Sequence, residues 1–471
     1  MNPRRALALP CAIALAIVLV ACGSGGSTST GATGRSAATD SARLATIVSG
    51  RPYGVGIATR TFVDTSRTTQ ANRDQPARPD RTLVTTLVYP TAPLGPTREP
   101  ARAGTLPVPV PDAAADSSDG PHPLVVFAHG FGGNEQLLLP LATNWAQAGY
   151  IVAIPRFPLT NTLTPGGING ADIANQPGDV SFLFDTLTGP NDSPVNGLVD
   201  ADRLALAGHS NGGITTLGAI ANSCCKERRI GAAIVFAGVT SPFGGGTYDL
   251  TDIPPVLFVH GANDAQIDFE QAARIFNDAA TPKAMLRIDA GDHVSILVSS
   301  APEFAEVTAA TIDFLDFALF GDPTAPDRIT QDQTAGRSTM FFAPDAGSGS
   351  SVKVPVAERG PTDRRATISK QDGLRDGEKV TVTWSGFLTG KTVNIVQCTG
   401  NGKGGSETCE IRPGQVLVPN PTGSGQLEMA VTIGKVGNGV CDASSPCTIL
   451  VNDAGLQDPD AFVYFPVTFA P

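Results

Sequence analysis

Between residues 124 and 288 the chain carries a series of short, nearly continuous apolar runs, at 124–128, 151–154, 204–207, 232–236, 256–259 and 284–288. Runs of that length, apolar at consecutive positions instead of alternate ones, are what strands of a parallel sheet look like when both faces are covered. Segments with helical periodicity lie between and after them, at 136–148, 178–187, 211–222, 270–279 and 303–319. Alternating strands and helices imply an α/β domain with a mostly parallel sheet, whose carboxyl strand ends carry the ligand-handling loops. An earlier alternating stretch, 81–89, ends at Pro90 and reads as a further strand before the Pro- and Asp-rich loop 92–123. This domain is expected to span 51–320.

A different pattern follows. Residues 321–364, rich in Pro, Asp, Gly and Ser with GSGSS at 347–351, read as a linker with room for one short strand around 340–342. From 365 to 471 the helical period disappears, and segments at 379–384, 392–397, 426–433, 448–451 and 461–465 alternate between Gly-rich turns. About seven such strands in roughly a hundred residues predict an all-β sandwich. With 471 residues, 41% of them apolar, the chain can fill a core in each domain. Its net charge of -11 excludes the class of nucleic-acid binders that relies on a basic patch.

The N-terminal MNPRR is positive, and 6–21 is apolar apart from Pro10 and Cys11, the layout of an export leader too short and too early to span a membrane convincingly. Leu19-Val20-Ala21-Cys22 resembles the lipobox of bacterial lipoproteins, which implies a leader over 1–22, acylation at Cys22 and a flexible tether over 23–50. The expected location is therefore extracytoplasmic, on a bacterial cell membrane through a lipid anchor; plain secretion is the alternative. Of the eight cysteines, Cys11 goes with the leader and Cys22 takes the lipid. The others lie where disulfides persist. Clustering favours local pairs, Cys398 with Cys409 and Cys441 with Cys447. Cys224 and Cys225 are either a vicinal disulfide or two buried thiols, and no zinc-ligand spacing occurs.

Within the α/β pattern, GHSNGG at 208–213 stands between the run 204–207 and a helix, the setting of a nucleophile on a sharp strand-to-helix turn. Gly208 and Gly212 suit such a turn because backbone meets backbone there. A serine hydroxyl needs a base, and only five histidines are available. His209 belongs to the turn, His129 and His260 each close a strand, and His122 sits between prolines. His293, in DAGDH after the last run, is the candidate base. The acid that orients it should lie between serine and base in chain order. Asp264, ending VLFVHGAND, is preferred over Asp268, Asp289 and Asp292. HGFGG at 129–133 follows the strand 124–128, so the backbone amides of Phe131 and Asn211 are the expected oxyanion donors.

HGFGG, GHSNGG, HGAND and GDH, in that order, resemble the α/β-hydrolase superfamily, in the branch of dienelactone-hydrolase-like, chlorophyllase-like and platelet-activating-factor-acetylhydrolase-like bacterial proteins that includes polyester hydrolases. The resemblance covers about 51–320. It implies an α/β-hydrolase fold with Ser210 as nucleophile, Asp264 as orienting acid, His293 as base, and Phe131 and Asn211 at the oxyanion hole. Asn211 departs from the Met that follows the nucleophile in polyester hydrolases. A small-molecule or lipid-like carboxylic ester is the implied substrate, with no metal or organic cofactor required. Only about fifteen residues, 239–253, separate the runs ending at Phe236 and starting at Val256, too few for a lid domain. An open cleft with Phe131, Phe157 and Leu159 along an apolar wall is expected.

Residues 366–471 resemble the neocarzinostatin family of seven-stranded immunoglobulin-like proteins, through DGLRDG at 372–377, GFLTG at 386–390, VQC at 396–398, and the Cys441–Cys447 loop followed by VNDA at 451–454. The family binds an apolar chromophore, but the segment after Cys398 lacks aromatic residues, so that role is not carried over. Trp384, Phe387, Phe462 and Phe465 are expected in the core. The expected function is an exported serine esterase. The alternatives are amide, thioester or lactone hydrolysis on the same triad, or a non-catalytic envelope protein whose sandwich captures an apolar ligand or envelope component.

Overall fold

The computed structural model describes residues 53–93, 106–241, 246–345, 352–356, 363–389, 391–402, 408–410, 418–437, 439–453 and 462–470. The expected leader, Cys22 and the tether lie outside the described residues. The N-terminal body is built on one ten-stranded sheet of β1 (Tyr53–Asp64), β2 (Arg81–Pro93), β3 (Val110–Pro111), β4 (His122–Ala128), β5 (Ile151–Arg156), β6 (Val199–His209), β7 (Ile230–Phe236), β8 (Val256–Gly261), β9 (Lys283–Ile288) and β10 (Ser338–Ala343). Their spatial order is β10-β9-β8-β7-β6-β4-β5-β2-β1-β3. From β5 through β4 to β9 every neighbour is parallel, whereas β2 joins β5, and β10 joins β9, antiparallel. Apart from the two-residue edge strand β3, which lies beyond β1, the order is sequential except that β4 and β5 are exchanged, which matches the α/β-hydrolase arrangement expected from the motifs.

Consecutive residues of a parallel strand feed two different cores, which is why the runs are apolar without alternation. In β4, Leu124 and Val126 join one buried cluster, and Val125 and Phe127 join the other. The first cluster is completed by α2 (Gln176–Thr188), α3 (Asn211–Ala221) and α4 (Phe269–Asp278). The second is closed by α1 (Leu139–Gln147) and α5 (Phe304–Leu315). Asp268 caps α4, its side chain accepting from the Glu270 N–H at 3.3 Å.

Two expectations change. The stretch 321–364 is not a free linker along its length, because α6 (Ala325–Gln331) and β10 belong to the α/β body, with β10 paired to β9 over its full length. Further on, Val354 is buried in the first core and its backbone pairs with the Asn277 side chain in both directions, at 2.9 and 3.0 Å. Composition marked these residues as linker because short Pro- and Asp-rich pieces cap an edge as readily as they span a gap. Second, Phe157 is fully buried in the first core and Leu159 is only 4% exposed, so neither forms an open wall.

The C-terminal module packs β11 (Arg365–Ile368), β12 (Lys379–Ser385) and β16 (Gly425–Ala430) against a sheet of β13 (Lys391–Thr399), β14 (Cys409–Glu410), β15 (Val418–Asn420), β19 (Cys447–Asp453) and β20 (Phe462–Val467), with β17 (Gly434–Val436) and β18 (Gly439–Cys441) as a small ribbon. Trp384 and Phe387 are core, and Phe465 packs on the same core from a half-buried position. Phe462 instead stacks on Tyr464 over a small satellite cluster around Cys398 and Cys409. Disulfides join Cys398 to Cys409, Cys441 to Cys447, and the adjacent Cys224 and Cys225.

Candidate active site

The candidate residues come together at the carboxyl ends of four strands: Phe131 after β4, Ser210 after β6, Asp264 after β8 and His293 after β9. Ser210 has φ 55° and ψ -115°, a conformation rare for a residue with a side chain, and it presents the hydroxyl at the apex between β6 and α3. The flanking glycines make that apex sterically feasible. A Cβ on Gly208 would lie 2.0 Å from the Gly212 carbonyl oxygen, and one on Gly212 would lie 2.1 Å from that of Ala128.

The Ser210 hydroxyl donates to His293 Nε2 at 2.8 Å, and His293 Nδ1 donates to Asp264 Oδ2 at 2.7 Å. The other carboxylate oxygen of Asp264 accepts the backbone N–H groups of Gln266 and Ile267, at 2.8 and 2.9 Å. Burial alone would raise the Asp264 carboxyl, but hydrogen bonds from His260 and His293 outweigh it and hold the group well below the usual carboxylate range. An ionised, acceptor-only Asp264 fixes the imidazole tautomer and leaves Nε2 able to take the serine proton. The competing aspartates are engaged elsewhere: Asp268 caps α4, Asp289 faces Arg287 at 3.5 Å, and Asp292 accepts from the Val294 and Ser295 amides.

Three further histidines, which the sequence marks only as strand-end neighbours of Gly or Ser, hold the loops in place. His209 donates from Nε2 to the His293 carbonyl at 2.7 Å, tying the turn to the base's own backbone. Burial, reinforced by the charge of His293, pushes His209 down to about 3, so it is neutral at working pH. Burial likewise lowers His129 to about 4; its Nδ1 donates to the Gly130 carbonyl at 2.7 Å and its Nε2 accepts the Phe157 N–H at 3.2 Å. His260 donates from Nε2 to the Ile267 carbonyl at 2.9 Å and lies 3.2 Å from Asp264 Oδ2.

In the loop after β4, the Gly132 N–H donates to the Thr160 carbonyl at 2.8 Å and the Gly133 N–H to the Gly130 carbonyl at 2.9 Å. Among the described residues neither the Phe131 nor the Asn211 N–H has a backbone acceptor. Asn211 also opens α3, where unpaired amides and the helix dipole favour negative charge. The Asn211 side-chain Nδ2 is buried without a partner among the described residues.

One buried side chain bridges the two segments that carry these amides. Gln176, fully buried, accepts from the Thr215 hydroxyl of α3 and donates to the Thr160 hydroxyl at 2.9 Å. Thr160 is the residue whose carbonyl holds Gly132. Beneath it, buried Arg81 grips Asp172 and Asp179 at 2.6 to 3.1 Å, and Asp172 accepts the Leu159 N–H at 3.3 Å. A lone Gln, or an Arg in an alternating strand, carries no sequence signal of such a role. Among the described residues no group of His, Cys, Asp and Glu is arranged to hold a metal ion.

Residues 366–461 match the model of the Neocarzinostatin family. This neocarzinostatin-like module therefore accounts for the C-terminal sandwich and leaves the α/β body to be judged on its own geometry. Among solved structures the chain is similar to a ferulic acid esterase from Streptomyces cinnamoneus, at 26% identity and a TM-score of 0.42, over 57% of this chain and 91% of that one. No curated protein matches the chain.

Proposed function

We propose that the chain is an exported serine hydrolase that cleaves carboxylic esters through Ser210, His293 and Asp264. The single observation that carries this reading is the continuous Ser210–His293–Asp264 hydrogen-bond line, at 2.8 and 2.7 Å, ending on a serine held at positive φ. Ser210 Oγ attacks the ester carbonyl carbon as its proton passes to His293 Nε2. The oxyanion that forms is stabilised by the N–H groups of Phe131 and Asn211. His293 then gives the proton to the departing alkoxide as the carbon–oxygen bond breaks, leaving an acyl-Ser210. Water attacks that ester in turn, losing a proton to His293, and the acid leaves as Ser210 recovers its hydrogen. Asp264 stays ionised throughout and stabilises the imidazolium.

The test is covalent labelling by a fluorophosphonate together with hydrolysis of a panel of esters, amides, thioesters and lactones. Labelling on Ser210, lost in Ser210→Ala, with esters turned over fastest, is the expected result. An unlabelled, folded protein would return the chain to the class of binding proteins. Export belongs to the same proposal, supported by the three disulfides, which persist in an oxidising compartment; lipid anchoring at Cys22 is proposed from the Leu19-Val20-Ala21-Cys22 motif. Incorporation of labelled fatty acid, abolished by Cys22→Ser, tests the anchor.

A further inference from the structure

The short connection between β7 and β8 predicts an open cleft, yet the neocarzinostatin-like module sits beside the catalytic loops. The Thr392 N–H in β13 donates at 3.0 Å to the carbonyl of Ala265, the residue after Asp264. On the oxyanion side, Lys435 Nζ donates to the Ala71 carbonyl at 3.2 Å, and β14 packs against the short helical turn at 170–175. The Val354–Asn277 pairing pins the connecting chain to the end of α4, which follows the acid loop. The module is thus docked on both flanks of the site.

Between the two bodies lies a notch lined by Asn72, Arg73 and Ile168 of the α/β body and Glu410, Lys435 and Gly437 of the module. Ile168 connects it to the reaction centre, since its Cδ1 lies 3.0 Å from where a Cβ on Gly132 would be, one residue from the Phe131 amide. The two cations of the notch are held on backbone carbonyls: Arg73 Nη1 on Gly166 at 2.7 Å, and Lys435 on Ala71. Neither has a carboxylate partner among the described residues, in a chain of net charge -11. Glu410 sets a single carboxylate on the same notch, so the two cations outnumber it.

We propose that this notch is a subsite for a carboxylate carried by the ester substrate, so that the sandwich forms one wall of the cleft and selects for anionic esters. The inference rests on the ester-hydrolase reading above. An Arg fork and an ammonium placed on either side of a notch match a carboxylate, and an exposed pair of this kind gives selectivity of modest size that salt erodes.

The experiment uses the full chain and matched aryl esters of dicarboxylic acids, each as the free hemiester and as its methyl-capped diester, over graded chain length. The expected result is a lower KM for the hemiester at one chain length, a preference that Lys435→Gln and Arg73→Gln each reduce about three- to tenfold and that raised salt abolishes. Binding of the same hemiester to Ser210→Ala protein, with and without Lys435→Gln, reads the subsite without turnover and should weaken by the same factor. A hemiester-to-diester ratio that is flat with chain length, or that neither variant moves, overturns the subsite while leaving Ser210-dependent hydrolysis intact. Turnover surviving Ser210→Ala would instead remove the reading on which it rests.

Discussion

The two bodies of this protein bury polar groups for different ends. In the sandwich such groups close locally: Trp384 Nε1 donates to Asn420, whose amide donates to the Leu388 carbonyl, the Gln397 side chain pairs with the Thr432 backbone, and Arg364 meets Asp453. Each ties one strand or turn to its neighbour. In the α/β body they converge. His129, His209 and His260 each fasten a strand-end loop, Asp264 collects donors from two loops, and Gln176 spans two more. A buried polar group is costly unless fully partnered, so a set of them aimed at one place marks where geometry has to be held.

The comparison breaks first at the triad. Ser210→Ala should lower ester turnover at least about ten-thousandfold, and Asp264→Asn by a similar factor, because an amide in place of the acceptor-only carboxylate favours the wrong imidazole tautomer. Trp384→Phe, which removes an equally buried hydrogen bond from the sandwich, should lower the Tm and leave kcat within twofold. Steady-state kinetics beside thermal melts decide the matter; a kcat loss in Trp384→Phe matching that of the triad variants would erase the distinction.

Gln176 sharpens it. Its amide accepts from Thr215 and donates to Thr160, so Gln176→Leu frees both oxyanion segments and should lower kcat about ten- to a hundredfold with KM changed far less. Gln176→Glu separates positioning from bulk stability. A protonated Glu can accept through its carbonyl and donate through its O–H, and burial raises a carboxyl's pKa. Activity relative to the parent should therefore be highest at low pH and fall as pH rises through the pKa of the new group. A pH-independent ratio would make Gln176 a packing residue only.

These two sets of residues also differ in how far they can be read from sequence. Strand-end motifs such as GHSNGG and HGAND announce themselves because the chemistry demands particular residues at fixed offsets from a strand, and the structure brings Ser210, Asp264 and His293 together in a hydrogen-bonded line. The apolar runs announce the sheet in the same way. Gln176, Arg81 and His209 act through partners 39, 98 and 84 positions away, and no local pattern encodes a contact of that range. The docking of the sandwich beside Ala265 was illegible for the same reason, and α6 was hidden in a segment whose composition is that of a linker, where only the short strand around 340–342, found as β10, could be anticipated.

Stability should divide along the same boundary. Replacing Cys441 and Cys447 by Ser opens a short loop and should cost the sandwich about 2 to 3 kcal/mol in the chain-entropy account. Calorimetry should then resolve two transitions, with only the sandwich's lowered. A single shifted transition would instead mean that the contacts through Ala265 and Ala71 couple the two bodies into one cooperative unit.

The smallest effect on turnover lies at the amino end of the α/β sheet, far from the reaction. Asp316, after α5, is fully buried, accepts from the Tyr150 hydroxyl at 2.5 Å and faces Arg328 at 3.3 Å. Burial pushes its carboxyl up to about 7, against the opposing Tyr150 hydrogen bond and with the Asp313 charge adding to the rise. The sign follows from linkage. A carboxyl whose folded pKa is raised contributes its full stability below its unfolded value near 4 and loses that contribution as pH rises through about 7. The Tm of the α/β body should therefore fall between pH 5 and pH 8, and Asp316→Asn, which stays neutral, should flatten that decline. Since Asp316 touches none of the strand-end loops, kcat should not follow the Tm. If turnover at 25 °C tracked the protonation of Asp316, the convergence of polar groups on the carboxyl end would extend through the whole body, and the contrast with the sandwich would be one of degree alone.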